Sequence, residues 1–187
     1  MNLLMGYTHL AMTHHHSIIS LSSDGGDASA LALGRCLVDA HLRGLWLNDV
    51  ASEDQVKRLA SGDYNFPGWR DLLAAISPRY PDGLFVHADK NYGKMCGFNH
   101  GGPEQVMWLI DAEGTISPNY PEDLITSNMR LSTGTLATHG IIVCLVLDRR
   151  EAAAEIRAHY VKQFSQQSDD LPATAPREAE PAIHESA

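Results

Sequence analysis

Residues 24–50, DGGDASALALGRCLVDAHLRGLWLNDV, are the stretch that decides the fold. Its apolar residues occupy every side of a helical wheel: Leu31, Leu33, Cys36, Leu37, Val38, Leu42, Leu45, Trp46, Leu47 and Val50. A helix that is apolar on all sides packs against several neighbours. We expect it to begin near Asp24, because the serine and aspartate oxygens between Ser22 and Asp27 can cap a helix and suit the positive end of its dipole. The stretch therefore predicts a long central helix buried in the core.

The polar residues of this helix form one row. Arg35, Asp39 and Arg43 follow one another at four-residue spacing, so a carboxylate lies one turn from a guanidinium on either side. Because buried charges must be paired, we interpret the row first as an internal salt-bridge row that fixes the helix register. The alternative is that the row belongs to a catalytic site. Gly34 and Gly44 fit the first interpretation, since small residues let another helix approach closely.

Composition limits the domain count and the classes of partner. The chain has 187 residues, 44% of them hydrophobic, which is enough for one sizeable core and too little for two ordinary domains. We expect one helical domain at residues 1–164 and a disordered, acidic tail rich in Pro, Ala and Ser at residues 165–187. The net charge is -9; five acidic residues against Arg177 give the tail -4 and leave the body -5. This acidity predicts no DNA footprint.

Cysteine usage and hydropathy predict the compartment. Cys36, Cys96 and Cys144 are odd in number, widely spaced and set in apolar surroundings, which is typical of reduced thiols in a cytoplasmic protein. The N-terminus lacks a basic segment followed by an apolar run. The longest apolar stretch, residues 140–147, is far shorter than the roughly 20 residues of a membrane span. We therefore expect neither secretion nor a membrane partner.

Apolar spacings of three and four residues predict further helices along the chain. They lie at residues 2–20, 84–100, 121–147 and 148–164, with shorter ones at 51–60 and 69–76. The helix at 51–60 begins with a capping serine, Ser52. Residues 104–110 are compatible with helix or strand, and Pro103 at a first-turn position with Glu104 after it favours helix. Residues 111–121 are typical of an irregular loop. Because the apolar run 141–147 has no comparable strand to pair with, the pattern predicts an all-α antiparallel bundle of about five principal helices.

The run His14-His15-His16 lies inside the first predicted helix. Consecutive side chains on a helix point about 100° apart, so these three imidazoles cannot converge on one metal ion. We expect no metal site and no cofactor.

A second candidate site follows residues 84–100. Asn99 and His100 end that predicted helix beside Gly101 and Gly102, where an imidazole can act as a proton donor or as a hydrogen-bond anchor. One interpretation is that His100 only caps the helix by hydrogen-bonding its carbonyls, and the other is catalysis. The residues that could complete a polar pocket here are Lys90, Tyr92, Gln105 and Tyr120.

Three segments together resemble a known superfamily. Residues 37–47 (LVDAHLRGLWL), 90–102 (KNYGKMCGFNHGG) and 117–121 (SPNYP) resemble uncharacterised bacterial helical proteins related to the HEPN superfamily and to abortive-infection proteins. The resemblance implies an all-α antiparallel bundle, often a homodimer, in a superfamily that includes metal-independent RNA-cleaving toxins. Their signature is an Arg followed a few residues later by a His, which Arg35 and His41 satisfy. On a regular helix these two side chains point about 120° apart, so a shared site needs an irregular turn or a dimer partner.

The expected function follows from this resemblance. We expect a HEPN-like protein of bacterial phage defence or of the toxin type, with metal-independent ribonuclease activity on an RNA substrate. Arg35 would stabilise the phosphoryl charge, and His41 or His100 would activate the ribose 2'-hydroxyl. The alternative is a non-catalytic helical protein that binds a cognate protein partner or a small ligand.

Overall fold

The computed structural model describes residues 2–80, 85–111 and 113–168. Within them the regular elements are helices. The described residues also contain one isolated antiparallel bridge, between Ile110 and Ile116. The helices are α1 (Asn2–Ser23), α2 (Asp27–Asp49), α3 (Glu53–Ser61), α4 (Trp69–Ile76), α5 (Val86–Asn99), α6 (Pro103–Met107), α7 (Glu122–Val146) and α8 (Arg150–Ser168), with a short 3-10 helix at Ser77–Arg79. The prediction of an all-α fold is confirmed.

The helix predicted from residues 24–50 is α2, and it lies at the centre of the molecule. It packs against α1, α4, α5 and α7. Its large side chains, including Leu42, Leu45 and Trp46, pack with Leu72 of α4 and Met95 of α5 in one core cluster. On its other side, Ala30, Leu37 and Ala40 pack with Ala11 and Ile18 of α1. Both sides of α2 are therefore core.

Contacts along the helices fix their directions. Tyr7 of α1 lies beside Gly44 of α2, and Leu21 lies beside Gly26, so α1 and α2 are antiparallel. Asn128 of α7 lies beside Gly34, and His139 lies beside Gly44, so α7 runs parallel to α2. Helix α8 is antiparallel to α7, since Tyr160 lies beside Gly134 and Ile156 beside Gly140. Helices α1, α2 and α7 thus pack against one another as a three-helix bundle, with α8 on α7.

The start of α2 differs from the prediction. Helix α1 continues to Ser23, and the Ser23 hydroxyl donates to the Ile19 carbonyl (2.9 Å) within α1 instead of capping α2. The N-cap of α2 is Gly26, which offers no side-chain cap, and the chain reverses through Gly25 at φ +77°. A residue without Cβ adopts that left-handed conformation without strain, so two glycines rather than the serines make the turn.

The short helix predicted after Val50 is α3, and its predicted cap is confirmed. The Ser52 hydroxyl accepts from the Gln55 backbone N–H (3.2 Å), and the Gln55 side chain accepts from the Ser52 N–H (2.9 Å). This reciprocal pair is a capping box, which is encoded entirely within four residues.

The remaining boundaries are close to those predicted. Pro103 does begin a helix, the short α6, while the predicted irregular loop contains the Ile110–Ile116 bridge. Helix α8 continues to Ser168, four residues past the predicted domain end at Phe164. Residues 169–187, where the disordered tail was predicted, lie outside the described residues.

Helix α7 is long and apolar enough, by length and composition alone, to cross a membrane. One such helix is weak evidence, because a core helix of a soluble protein passes the same test. Its buried residues are Asn128, Ser132, His139 and Val143, and three of these four are polar.

Candidate functional site

Arg35, Tyr92 and His100 meet where α2 and α5 pack together. The Arg35 Nη1 atom lies 2.6 Å from His100 Nε2, and its Nη2 donates to the Tyr92 hydroxyl (3.1 Å). The Arg35 guanidinium carbon also lies 5.1 Å from the centre of the Tyr92 ring. His100 is exposed, and the other two side chains are half-buried. The structure therefore places two of the three predicted catalytic residues in contact at the protein surface.

Neighbouring side chains hold this cluster in place. The Tyr92 ring stacks on Trp69 of α4 with ring centres 3.7 Å apart, which fixes the phenol under the guanidinium. Next to His100, the Asn99 side-chain oxygen accepts from the Cys36 thiol (3.6 Å), a second polar contact between α2 and α5. The cluster thus rests on three helices.

The geometry also specifies the tautomer of His100. A guanidinium can only donate hydrogen bonds, so His100 Nε2 must be the acceptor and the imidazole proton must lie on Nδ1. Burial, with the nearby Asp39 charge as a smaller cause, raises the pKa of Tyr92, so its hydroxyl remains a proton donor at neutral pH. The cluster therefore combines a fixed positive charge, an imidazole with a basic nitrogen and a phenolic proton.

The predicted salt-bridge row is only partly formed. Arg35 Nε and Asp39 Oδ2 are 3.6 Å apart, beyond hydrogen-bond length, and their side chains are 18% and 22% exposed. Arg43 instead lies with its guanidinium carbon 5.2 Å from the centre of the Phe66 ring. The row is therefore not the buried, fully paired network that the four-residue spacing suggested.

Asp39→Asn is expected to change the unfolding free energy by less than about 1 kcal/mol at pH 7. The reason is that Arg35 and Asp39 are too far apart for a hydrogen bond and are partly exposed to solvent. Burial raises the pKa of Asp39, while Arg35 and Arg43 oppose that rise. A carboxyl whose pKa is raised by folding is less favourable in its charged form in the folded protein than in the unfolded chain. The neutral amide of Asn therefore removes this desolvation cost together with the attraction to the two arginines. Urea unfolding measures the change; a loss of several kcal/mol would mean that Asp39 is part of a buried network.

His41, the third predicted catalytic residue, lies elsewhere. It is 5% exposed and faces α7, where its Nδ1 lies 3.0 Å from Nδ1 of His139. The other side of His139 reaches α1, with Nε2 2.9 Å from the Thr8 hydroxyl oxygen. Arg35 and His41 therefore face different helices, as their wheel angle predicted, and they share no site within this chain.

The hydrogen bonds of this buried chain assign each proton. The Thr8 hydroxyl donates to the Leu4 carbonyl (2.9 Å), so its oxygen must accept from Nε2–H of His139. With that proton on Nε2, neutral His139 offers Nδ1 as an acceptor, and His41 Nδ1–H donates to it. Burial, followed by the charge of His139, lowers the pKa of His41 to about 3, and burial also lowers the pKa of His139. Both imidazoles are neutral at physiological pH.

A second cluster of polar contacts joins α7 to α1 and α2. The Ser132 hydroxyl donates to the Met129 carbonyl (2.9 Å), so it accepts from Nδ1 of His15 (3.1 Å). Asn128 donates to the Ala30 carbonyl (2.9 Å). These contacts bind α7 to α1 and α2 through polar groups, and they account for one member of the predicted histidine run. Among the described residues, no group of three or more His, Cys, Asp or Glu could hold a metal ion.

Two other predicted pocket residues, Gln105 and Tyr120, contact each other. The Tyr120 hydroxyl donates to the backbone carbonyl of Gln105 (3.3 Å), which ties the following loop to α6. Burial, and then the charge of Asp27, raises the pKa of Tyr120. Lys90 lies in α5, but its side chain is outside the described part of the structure.

Sequence reasoning missed Trp69, Cys36 and the polar face of α7. Asn128, Ser132 and His139 are separated by four and seven residues, a spacing that places them on one side of a helix. Three polar residues on one side of an otherwise apolar helix would have indicated a buried polar contact. Trp69 carried no such signal, because its partner Tyr92 lies in a different helix.

Comparison with known proteins gives a family and no activity. The model of DUF6988, a family of unknown function, matches residues 8–169. No curated protein matches the chain, and neither does any solved structure. The family match begins in α1 and extends just past α8, so it covers the Arg35 cluster and the buried histidine pair alike. The chain therefore belongs to DUF6988, a family of unknown function.

Proposed function

We propose that the chain is a HEPN-like, metal-independent ribonuclease of bacterial defence whose working residues are Arg35, His100 and Tyr92. The observation that carries the proposal is the 2.6 Å contact between Arg35 Nη1 and His100 Nε2 at an exposed edge. The resemblance of residues 37–47 and 90–102 to HEPN-related proteins supports it, because the second segment supplies His100 and the first begins two residues after Arg35 on the same helix. A homodimer and a cytoplasmic location are parts of the same proposal.

The proposed reaction needs no group beyond the RNA and this cluster. A phosphate oxygen replaces His100 Nε2 as the partner of the Arg35 guanidinium, which stabilises the charge of the transition state. The freed Nε2 accepts the proton of the ribose 2'-hydroxyl. The 2'-oxygen forms a bond to phosphorus while the bond to the 5'-oxygen breaks. The Tyr92 hydroxyl donates a proton to that leaving oxygen, and a cyclic phosphate remains.

His41 has no role in this proposal. It is buried, and its proton is already donated to His139. In the HEPN signature, the Arg and the His lie on the same helix. In this proposal they would come from different helices, because Arg35 lies on α2 and His100 lies at the end of α5.

The experiment is cleavage of a labelled RNA by the purified protein in the presence of a chelator. We expect products that end in cyclic phosphate. Arg35→Ala and His100→Ala should each lower the rate by roughly 100-fold or more, with an unchanged circular dichroism spectrum. The matched controls are Arg157→Ala and His159→Ala, which remove exposed side chains of the same types from α8.

Two results would contradict the ribonuclease proposal. Cleavage that persists in both Arg35→Ala and His100→Ala would place the activity in another site or another protein. Folded wild-type protein without cleavage would favour the second candidate, a non-catalytic protein that binds a protein partner or small ligand. The net charge of -9 favours that second candidate, since it gives RNA little electrostatic attraction.

A further inference from the structure

Five large apolar side chains are exposed within eleven residues that follow α5. We name them the α6–hairpin surface: Val106, Met107, Trp108, Ile110 and Ile116. Ile116 is 82% exposed and Met107 67%. Single exposed apolar residues are ordinary, but a contiguous group of them marks an interaction site.

The backbone holds this surface in one conformation. Ser117 N–H donates to the Leu109 carbonyl (2.8 Å), and Asn119 N–H donates to the Trp108 carbonyl (2.9 Å). At the tip, the Asp111 carboxylate accepts from the Thr115 N–H (2.7 Å). Residues directly opposed in an antiparallel bridge project to the same side, so Ile110 and Ile116 form one apolar face. A preformed apolar face loses little conformational entropy when a partner binds.

The charged residues in the segment that carries this surface have one sign. Residues 103–123 contain five acidic residues and no Lys, Arg or His: Glu104, Asp111, Glu113, Glu122 and Asp123. A second copy of the chain placed symmetrically on this surface would bring two such acidic segments together. The whole chain carries a net charge of -9, which adds to that repulsion. The charge pattern therefore favours a basic partner over self-association.

We propose that the α6–hairpin surface docks a basic amphipathic helix of a partner protein. The apolar side of that helix covers Met107, Ile110 and Ile116, and Trp108 is the aromatic anchor. Lysine and arginine on its flanks pair with exposed carboxylates such as Glu113 at the rim. This interaction is independent of the ribonuclease proposal.

The test uses a fluorescent peptide of about five helical turns with leucine on one side and lysine on the other, added to the full chain. Anisotropy is expected to show binding at least 10-fold tighter than that of a leucine and glutamate peptide of the same pattern. Ile116→Asp should weaken binding at least 10-fold, and Glu113→Lys several-fold. The matched control is Val161→Asp, which places the same charge on an exposed apolar position of α8 and should leave binding unchanged.

Thermal unfolding followed by circular dichroism checks that each variant is folded. Three results would overturn the proposal: no binding of the lysine peptide, equal binding of the glutamate peptide, or a loss of peptide affinity in Val161→Asp equal to that in Ile116→Asp. Sedimentation of the protein without peptide measures whether the protein forms a dimer. A dimer that Ile116→Asp dissociates would show that a second copy occupies the surface, which also overturns it.

Discussion

Lowering the pH from 6.5 to 4 is expected to remove about 3 kcal/mol of unfolding free energy through His41 alone. The pKa of His41 is about 3 in the folded protein and 6.5 in the unfolded chain. Below pH 6.5 the unfolded chain therefore binds a proton that the folded protein does not bind. The stability from neutral His41 is complete above pH 6.5 and is lost as the pH falls towards 3. The lowered pKa of His139 adds a loss of the same sign.

The physical reason is burial: a charged His41 would lose its hydration in the core, and the charge of His139 opposes it as a smaller cause. His41 donates from Nδ1 to the unprotonated Nδ1 of His139, 3.0 Å away. A proton added to His139 Nδ1 places two N–H groups against each other and breaks that hydrogen bond. Neither imidazole faces a carboxylate among its hydrogen-bond partners, so a positive charge here is not compensated.

Urea unfolding of wild type and of His41→Asn at several pH values measures this effect. Carboxylates also titrate below pH 5, so the quantity compared is the slope of stability against pH, which should be smaller in the variant. The control is His159→Asn, an exposed position of α8, which should keep the wild-type slope. If His41→Asn also keeps that slope, the buried pair is not the source of the acid sensitivity.

Gly34→Ala is expected to destabilise the protein by about 2–4 kcal/mol. A Cβ at Gly34 would lie 2.5 Å from Asn128 Oδ1, closer than real contacts allow. Asn128 cannot move freely, because its Nδ2 donates to the Ala30 carbonyl and anchors α7 to α2. The added methyl group must therefore separate the two helices or break that hydrogen bond.

Chemical denaturation of Gly34→Ala measures the loss, with Gly93→Ala as the matched control. Gly93 is also inside a helix, yet no side chain of the described residues lies within 4 Å of the place that a Cβ would take there. Gly93→Ala should be neutral or stabilise by up to about 1 kcal/mol through helix propensity. A Gly34→Ala, Asn128→Ala double variant should lose less than the sum of the two single variants. Additive losses would show that the two residues are not in contact.

The sequence alone predicted those features that are encoded locally. The apolar pattern of residues 24–50 predicted the buried helix α2, and Ser52 predicted the cap of α3. Arg35, Tyr92, Asn99 and His100 were candidates before their contacts were known. Such features follow from spacing on one helix and from residue chemistry, which do not depend on the arrangement of the helices.

The tertiary structure alone decided which residues meet. Helix α2 is apolar on all sides, so its apolar pattern does not predict which helix packs against each side. His41 could equally have joined Arg35 by way of a partner chain; packing against α7 gave it His139, 98 residues away along the sequence, as its partner. Packing against α5 gave Arg35 the imidazole of His100. A helical wheel fixes the angle between two side chains on one helix, but the partner of each side chain depends on long-range packing, which no local pattern encodes.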